Sequence, residues 1–488
     1  MPPANTNLSK SRFTAGWQCP RLLWWKVHEP DAPELEPDIV LKDRFDQGAQ
    51  VGRLAQAEFP GGVLIDLPYN DPGRVKATRA AMDAGAPAIF EATFVERGVY
   101  VAVDVLLREG DTWAVIEVKS STEQKPEHIP DAAVQAWVVA AAGLSVSRVE
   151  IMHLSKQYRL HQEGELFERT DVTREVIGFL PNVPGMVDEF RTALSGPRPD
   201  VAVGEQCGRP RDCPFLQRCW PDDRDQIKNL YRVSYKAAQS YHQTGVRRIP
   251  DLPPGARLNP TQRRQVLSIT ENRIVVEPGL ASALDAVAVP RLGFLDFETI
   301  QRAVPVWDGQ KPWEQTAVQF SWHIAKPGGG YDHEEYLADG PDDPREEIAE
   351  RLIAVTSGAE RIVTYSAFEA TRIKALATQV PARADDLLAI VEKLVDFLPI
   401  VRNHVYHPDF RGSFSLKYVL NPLCPDLSYD DLVIVDGLRA SVEIARLLFF
   451  AHLVEDREGT RKNLLDYCER DTWATVRLVE RLRELAHG

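Results

Sequence analysis

Residues 114–121 read AVIEVKSS. The stretch is mostly apolar and suits a strand inside a sheet, yet it carries Glu117 and Lys119. A buried strand excludes charges that have no partner. Because side chains alternate along a strand, both charges project from one face while Ile116 and Val118 project from the other. The stretch therefore predicts a strand of an α/β domain with an ionic site on one face.

A second strand is predicted immediately upstream. Residues 99–107, VYVAVDVLL, are apolar except for Asp104, and the REGD that follows has the composition of a hairpin turn. Two adjacent strands would bring Asp104 beside Glu117 and Lys119. A buried carboxylate without a partner is costly, and a bound divalent cation removes that cost. Hydrolysis of a phosphodiester needs such a set: two carboxylates that hold Mg²⁺ or Mn²⁺ and a lysine near the reacting phosphate.

These residues resemble the PD-(D/E)XK nuclease superfamily, with Asp104 as the first acid and residues 117–119 as the E-x-K element. The resemblance implies that Asp104 and Glu117 are metal ligands and that Lys119 is catalytic. The tripeptide EVK alone has a plainer interpretation, a half-exposed strand with a solvated ion pair.

Two further positions extend the resemblance to the RecB-like members of that superfamily. Gln135, in the apolar stretch DAAVQAWVVAAAGL, matches their glutamine and is assigned a catalytic role. Glu91, in AIFEATF, is a candidate metal ligand at the preceding acidic position. RecB-like enzymes often carry a histidine on the helix before the sheet, whereas FDQGAQVGRLA has none.

Three of the six cysteines, Cys207, Cys213 and Cys219, are clustered in CGRPRDCPFLQRC, and Cys19 lies far upstream. In a cytosolic chain such a set indicates metal binding rather than disulfides, and four thiols could hold zinc or an iron–sulfur cluster. The spacing lacks the C-x₂-C pairs of zinc ribbons and resembles the iron–sulfur RecB-like nucleases, which include CRISPR-associated exonucleases and the AddB type. That resemblance implies a 4Fe–4S cluster on these four cysteines, with zinc as the alternative.

Another acidic set is predicted in the second half of the chain. The stretch GFLDFET, residues 293–299, places Asp296 and Glu298 on one face of a strand. Near the end of the chain, LLDYCERDTWATVRLVERL has a helical pattern in which Tyr467 and Asp471 stand one turn apart on one face. Carboxylates from a strand and a helix can bind two metal ions about 4 Å apart.

This second set resembles the DnaQ-like exonucleases of the DEDD type, which have an RNase H-like fold. The resemblance implies three metal ligands from these two segments: Asp296, Glu298 and Asp471. It also implies that Tyr467 orients the attacking water. The second motif of that family carries an aspartate, and here YSAFE supplies Glu369 as the ligand instead. Lys417, in GSFSLKYVL, is assigned to nucleic-acid binding.

These assignments predict an α/β protein that is divided into three regions. We expect a restriction-endonuclease-like PD-(D/E)XK domain over residues 1–222, a helical connector over 223–290 and a DnaQ-like RNase H-fold domain over 291–488. Within the connector, SYKAAQSYHQTGVRRIPDLP faintly resembles a helix-hairpin-helix element, and a plain helical linker is the alternative.

The net charge and the hydropathy of the sequence narrow the expected function and location of the protein. With 57 Lys+Arg against 71 Asp+Glu the net charge is −14, which argues against a protein that coats nucleic acid non-specifically. A carboxylate-centred nuclease remains compatible with that balance. We find no apolar run of about 18 residues and no signal-peptide core in MPPANTNLSKSRF, so we expect a cytoplasmic protein without a membrane role.

The expected function is a metal-dependent nuclease with two active sites, of which the second is a 3′→5′ exonuclease. DNA is favoured over RNA as the substrate, and no protein partner is indicated. A nucleic-acid-binding subunit in which one or both sites have decayed is the first alternative. A zinc-stabilised scaffold without a nucleic-acid function is the second.

Overall fold

The computed structural model describes residues 7–487 and divides into two compact α/β units. The first unit runs to Pro221 and also includes Arg302–Trp313. The second unit comprises Asp222–Gln301 and Glu314–Gly488. The two units therefore meet in sequence at residues 221 and 222, beside the expected domain boundary at residue 222. The expected connector belongs to the second unit, and Arg302–Trp313, which we placed in the C-terminal domain, belongs to the first.

A single mixed sheet organises the first unit. Its strands are β1 Leu8–Ser9, β2 Val63–Leu64, β3 Ala88–Glu96, β4 Val99–Glu109, β5 Thr112–Lys119, β6 Val146–Leu154 and β7 Phe167–Asp171. Its helices are α1 Lys10–Gln18, α2 Pro20–His28, α3 Ile39–Ala57, α4 Gly73–Asp83, α5 His128–Ala141, α6 Thr173–Phe179, α7 Val183–Ser195 and α8 Leu216–Cys219. Strands β2 to β7 are neighbours in sequence order, and β1 pairs with β4.

The β4–β5 hairpin sets the position of the first ionic site. The two strands are antiparallel with Val105 opposite Ile116, and the turn between them contains Gly110 at φ +62. Strand β5 pairs with β6 in parallel, so the chain must cross over from the end of one strand to the start of the other. Helix α5 makes that crossover and packs against β3, β4, β5 and β6. The predicted hairpin is confirmed.

The Arg302–Trp313 segment is held within the first unit by specific hydrogen bonds. The Ala303 backbone N–H donates to Gln47 Oε1 at 2.6 Å, and Gln47 lies in α3 with 2% of its surface exposed. The Trp313 Nε1–H donates to the carbonyl of Ser120 at 2.5 Å, one residue beyond β5. The segment therefore packs against α3 and the end of the acidic strand.

The second unit contains a larger set of helices. Its strands are β8 Val275–Val276, β9 Leu292–Ile300, β10 Thr316–Ala325, β11 Tyr331–Leu337, β12 Arg361–Thr364, β13 Leu394–Asp396 and β14 Val405–Tyr406. Its helices are α9 Tyr235–Gln243, α10 Pro260–Glu271, α11 Leu280–Ala283, α12 Arg345–Thr356, α13 Phe368–Gln379, α14 Ala384–Lys393, α15 Leu398–His404, α16 Leu416–Leu423, α17 Gly437–Phe449 and α18 Arg457–His487. Within residues 7–487, none of the helices combines the length and the hydrophobicity needed to cross a membrane.

Strand β9 lies at the centre of a five-stranded sheet with the order β11-β10-β9-β12-β13. Strand β10 is antiparallel to β9 and β11, whereas β9, β12 and β13 are parallel. Gly293 is required at the start of β9, because a Cβ there would lie 2.0 Å from the Trp322 ring. Helix α18 packs across β9 and β10. The central strand and the C-terminal helix therefore meet, as the paired acidic motifs require.

Candidate active sites

Glu117 is the centre of the first ionic site. It is 1% exposed, and three side chains donate hydrogen bonds to its carboxylate. Gln135 Nε2 lies 2.6 Å from Oε2, and Lys119 Nζ lies 2.6 Å from Oε1. Lys10 Nζ lies 2.8 Å from Oε1 and 3.0 Å from Oε2. The structure thus brings Glu117, Lys119 and Gln135 together as predicted, and it adds Lys10.

Asp104 and Glu117 stand in contrasting electrostatic environments. Burial and then the charge of Glu117 raise the pKa of Asp104 to about 7, although the Val118 N–H donates to its Oδ2 at 2.7 Å. Burial also opposes ionisation of Glu117, but the ammonium groups of Lys10 and Lys119 hold its pKa well below the usual range. Glu117 is therefore ionised at neutral pH, whereas Asp104 is partly protonated there. A cation bound beside Asp104 would favour its charged form.

Sequence reasoning missed two members of this site, Lys10 and Asp131. Asp131 is 8% exposed and accepts a hydrogen bond from Lys119. It lies one helical turn before Gln135 in the apolar helix α5, a spacing that could have identified it. Lys10 opens α1 in a polar stretch without a motif, and its contact with Glu117 spans 107 positions of sequence. Only the tertiary structure places it in the site.

Glu91 lies apart from the Glu117 contacts. Its neighbours Phe90 and Ala92 pair with Val105 and Val103, so the Glu91 backbone lies opposite Asp104 in the register. Its φ of +57 lies in the left-handed region although β3 continues through it, and its carboxylate forms an ion pair with Arg74 at 3.4 Å. The structure therefore places this candidate ligand in a separate ion pair beside the site.

All six cysteines are free thiols, and four of them line one pocket. These four are the predicted set: Cys19, Cys207, Cys213 and Cys219. Apolar side chains such as Leu22 and Trp25 complete the lining. Two N–H groups point at the sulfurs, since the Gly204 N–H lies 3.5 Å from Cys207 Sγ and Arg21 Nη1 lies 3.4 Å from Cys219 Sγ. Residues almost two hundred positions apart therefore meet at this pocket.

The spacing of the sulfurs bears on which metal group the four cysteines could hold. In a tetrahedral zinc site with Zn–S bonds of about 2.3 Å, the sulfurs are about 3.8 Å apart. Within residues 7–487, the groups of three candidate ligand atoms that lie within 4.8 Å of one another contain no cysteine. No three of the four sulfurs therefore lie as close together as the ligands of one zinc ion would. Burial raises the pKa of Cys213 to about 11, so any metal ion bound there would have to displace its proton.

Three carboxylates converge in the second unit. Asp296 and Glu298 come from β9 and Asp471 from α18, and one oxygen of each lies within 4.8 Å of the others. Glu298 is 7% exposed and Asp471 is 9% exposed. The predicted strand-and-helix pairing is therefore present in the structure, with the spacing that a metal ion could bridge.

Burial raises the pKa values of all three carboxylates. Burial, and then repulsion by Asp471, raise the pKa values of both Asp296 and Glu298 well above the usual range. Burial also raises the pKa of Asp471, although Tyr429 and Tyr467 donate hydrogen bonds to it. Three ionised carboxylates at this spacing are unstable without counter-charge, so the group must take up protons or divalent cations.

Tyr467 and Lys417 lie beside the carboxylates as predicted. Tyr467 is 2% exposed and one helical turn from Asp471, and burial raises the pKa of its hydroxyl. Lys417 is exposed, with Nζ 5.3 Å from the centre of the Tyr467 ring and 2.5 Å from the Val435 carbonyl. Tyr429, which was not predicted, donates a hydrogen bond to Asp471 Oδ1. No sequence signal marks Tyr429, because it lies in the irregular segment between α16 and α17.

Glu369 lies near the three carboxylates but outside the close group. It is in the first turn of α13, is 4% exposed, and its Oε2 accepts no hydrogen bond from any residue between 7 and 487. Burial, and then the charges of Asp396 and Asp471, raise its pKa to about 8. A buried carboxylate oxygen without a donor is the group that a metal ion or its bound water would satisfy.

Comparison with known proteins gives one family match. A family described as a domain of unknown function, DUF2779, matches residues 293–415. The match contains Asp296, Glu298 and Glu369 and ends before Lys417, Tyr467 and Asp471. A search of curated proteins finds no match.

Proposed function

We propose that this protein is a metal-dependent nuclease with two active sites, of which the second is a 3′→5′ exonuclease of the DnaQ-like type. The observation that carries the proposal is the buried group formed by Asp296, Glu298 and Asp471. Burial and then repulsion by Asp471 raise the pKa values of Asp296 and Glu298, so their charged forms need a counter-charge, and the oxygen ligands of the group suit Mg²⁺ or Mn²⁺. Two such ions supply Lewis acidity and an activated water for phosphodiester hydrolysis.

The remaining residues of the second site have roles that fit this chemistry. Tyr467 holds its hydroxyl beside Asp471 and would orient the attacking water. Lys417 is exposed at the rim and would contact the phosphate backbone. Glu369 would reach a metal through its free Oε2 or through a bridging water. The central position of β9 in the mixed sheet supports an RNase H-like fold.

The first site supports a second phosphodiesterase centre of the PD-(D/E)XK type. Asp104 and Glu117 would hold the metal, and Gln135 fixes the orientation of Glu117 through its hydrogen bond to Oε2. Lys119 would neutralise charge that develops on the phosphate. The four cysteines would hold a 4Fe–4S cluster that ties the two ends of the first unit together, a structural role. A cytoplasmic location fits reduced thiols.

A nucleic-acid-binding subunit with decayed sites is the second candidate function. It is favoured by the contacts of Glu117, whose oxygens are already bonded to Lys10, Lys119 and Gln135. A protein of this kind would bind nucleic acid without metal-dependent turnover.

End-labelled substrates distinguish the two functions. Purified full-length protein is incubated with Mn²⁺ and with single- or double-stranded DNA or RNA, and products are resolved on a denaturing gel. A nuclease shortens at least one substrate, with DNA expected to be the best, and loses activity when a chelator is added. Binding in a mobility-shift assay without any shortening would instead support the binding subunit.

A further inference from the structure

A pair of histidines on the second sheet lies apart from both acidic sites. His323 in β10 and His333 in β11 are directly opposite in the antiparallel register, so both side chains point to the same face. Their rings stack with centroids 4.4 Å apart. Two imidazoles at this distance can act as ligands to one transition-metal ion after a small rotation of the rings.

Helix α18 supplies a third candidate ligand over the same face. Glu469 Oε1 lies 3.9 Å from His333 Nδ1, and ligand atoms of His323, His333 and Glu469 all lie within 4.8 Å of one another. Tetrahedral zinc with bonds of about 2.0 Å needs ligand atoms about 3.3 Å apart. Glu469 is exposed and long, so its carboxylate can close that gap.

The hydroxyl groups beneath the histidines are arranged as outer partners of metal ligands. Thr472 Oγ1 lies 2.9 Å from His323 Nδ1, and Ser321 Oγ lies 3.0 Å from His333 Nε2. The two hydroxyls are themselves 2.7 Å apart. Metal-binding histidines use one ring nitrogen for the ion and the other for a hydrogen bond. That leaves His323 Nε2 and His333 Nδ1 as the nitrogens available to an ion.

We propose that His323, His333 and Glu469 form a separate binding site for a transition-metal ion, with Zn²⁺ as the preferred ion. Two imidazoles and one carboxylate favour zinc over Mg²⁺. Mg²⁺ prefers oxygen ligands alone, such as the carboxylates of Asp296, Glu298 and Asp471. A water completes the coordination. The ion links the edge strand β11 to Glu469 of α18, which stands two residues before Asp471. It therefore holds in place the helix that carries Asp471. This proposal does not depend on nuclease activity.

Cobalt is a suitable probe because its spectrum reports the ligand type. Full-length protein with its cysteine site loaded is titrated with Co²⁺ in excess Mg²⁺. In the difference spectrum against the same protein without cobalt, we expect one Co²⁺ with intense visible d–d bands and no added thiolate charge-transfer band, and Zn²⁺ displaces it. Glu469→Gln should weaken Co²⁺ binding by at least about tenfold, since one of three protein ligands is lost.

Matched variants make the result decisive. Glu484→Gln, a substitution elsewhere on α18, should bind Co²⁺ as the wild type does. His333→Gln should weaken binding as Glu469→Gln does, and because Glu469 is exposed, its variant decides the question even if the histidine variant fails to fold. Equal Co²⁺ uptake and identical spectra in the wild type and Glu469→Gln would overturn the proposal.

Discussion

Lys10 Nζ lies 2.8 Å and 3.0 Å from the two carboxylate oxygens of Glu117, which stands 107 positions later in the chain. Lys119 contacts the same carboxylate at 2.6 Å. Burial opposes the charge of Lys10, but the carboxylates of Asp131 and Glu117 keep its pKa well above the usual value. A divalent ion at Glu117 must therefore compete with ammonium groups that stay protonated.

Replacing Lys10 by Ala should strengthen Mn²⁺ binding at the first site by roughly tenfold, because a unit charge a few ångströms from the ion is removed at intermediate dielectric. Titration calorimetry measures this in an Asp296→Asn background, which weakens the second site. Lys76→Ala, an exposed lysine of the same unit, is the control and should leave the affinity unchanged. Weaker Mn²⁺ binding in the Lys10 variant would show that Lys10 supports the site rather than competing with metal.

Lys119→Ala should reduce cleavage by the first site by about 10²-fold, because a positioned charge that stabilises the transition state is lost. The rate is measured with full-length protein that also carries Asp296→Asn. Lys156→Ala, which removes an exposed lysine paired with Glu123, should leave the rate unchanged. An unaltered rate in the Lys119 variant would remove this residue from the mechanism.

Cys213→Ser should bleach the brown colour and the absorbance near ~400 nm that we expect of anaerobically purified protein with an iron–sulfur cluster. It should also lower the unfolding temperature of the first unit, since the tie between distant segments is broken. Cys424→Ser, a buried thiol of the second unit, should keep the cluster. Stoichiometric zinc without iron or sulfide in the wild type would contradict the cluster assignment.

Glu369 should make metal-free protein less stable as pH rises. Its pKa is raised from 4.5 to about 8 in the folded protein, so the folded state keeps a proton that the unfolded chain has released. The folded state then binds more protons, and the free energy of unfolding falls with pH between about pH 5 and pH 8. Glu369→Gln should flatten this dependence in thermal unfolding with a chelator present.

The control for that measurement is Glu392→Gln, an exposed glutamate of α14. It should keep the wild-type pH dependence. Added Mn²⁺ should restore wild-type stability at high pH, because it replaces the proton as counter-charge. An equally steep decline in the Glu369→Gln variant would show that other carboxylates control the stability.

The local sequence pattern was sufficient to predict the strands and the helix that carry the acidic site residues. Alternation along β5 and β9 placed Glu117, Asp296 and Glu298 on defined strand faces, and one helical turn related Tyr467 to Asp471. The hairpin turn at Gly110 followed from composition. These features depend on neighbours in sequence, whose geometry is fixed by the strand and helix periods.

Contacts between distant segments could not be predicted in the same way. Lys10 reaches Glu117, and Tyr429 reaches Asp471, from stretches whose composition indicates only a polar helix start or a loop. The Arg302–Trp313 segment follows β9 in sequence but packs in the first unit, where Gln47 binds its backbone. Tertiary packing decides such partners, and a single sequence carries no periodic signal for them.

The central claim is that Asp296, Glu298 and Asp471 form a hydrolytic metal site. Its most direct test is the Mn²⁺-dependent shortening of 5′-labelled single-stranded DNA by full-length Lys119→Ala protein, in which the first site is silenced. We predict a ladder of products shortened from the 3′ end, which disappears when Asp296→Asn is added and persists with Asp285→Asn, an exposed aspartate of the same unit. A ladder that is unchanged by Asp296→Asn, or no shortening at all with the three carboxylates intact, would contradict the account.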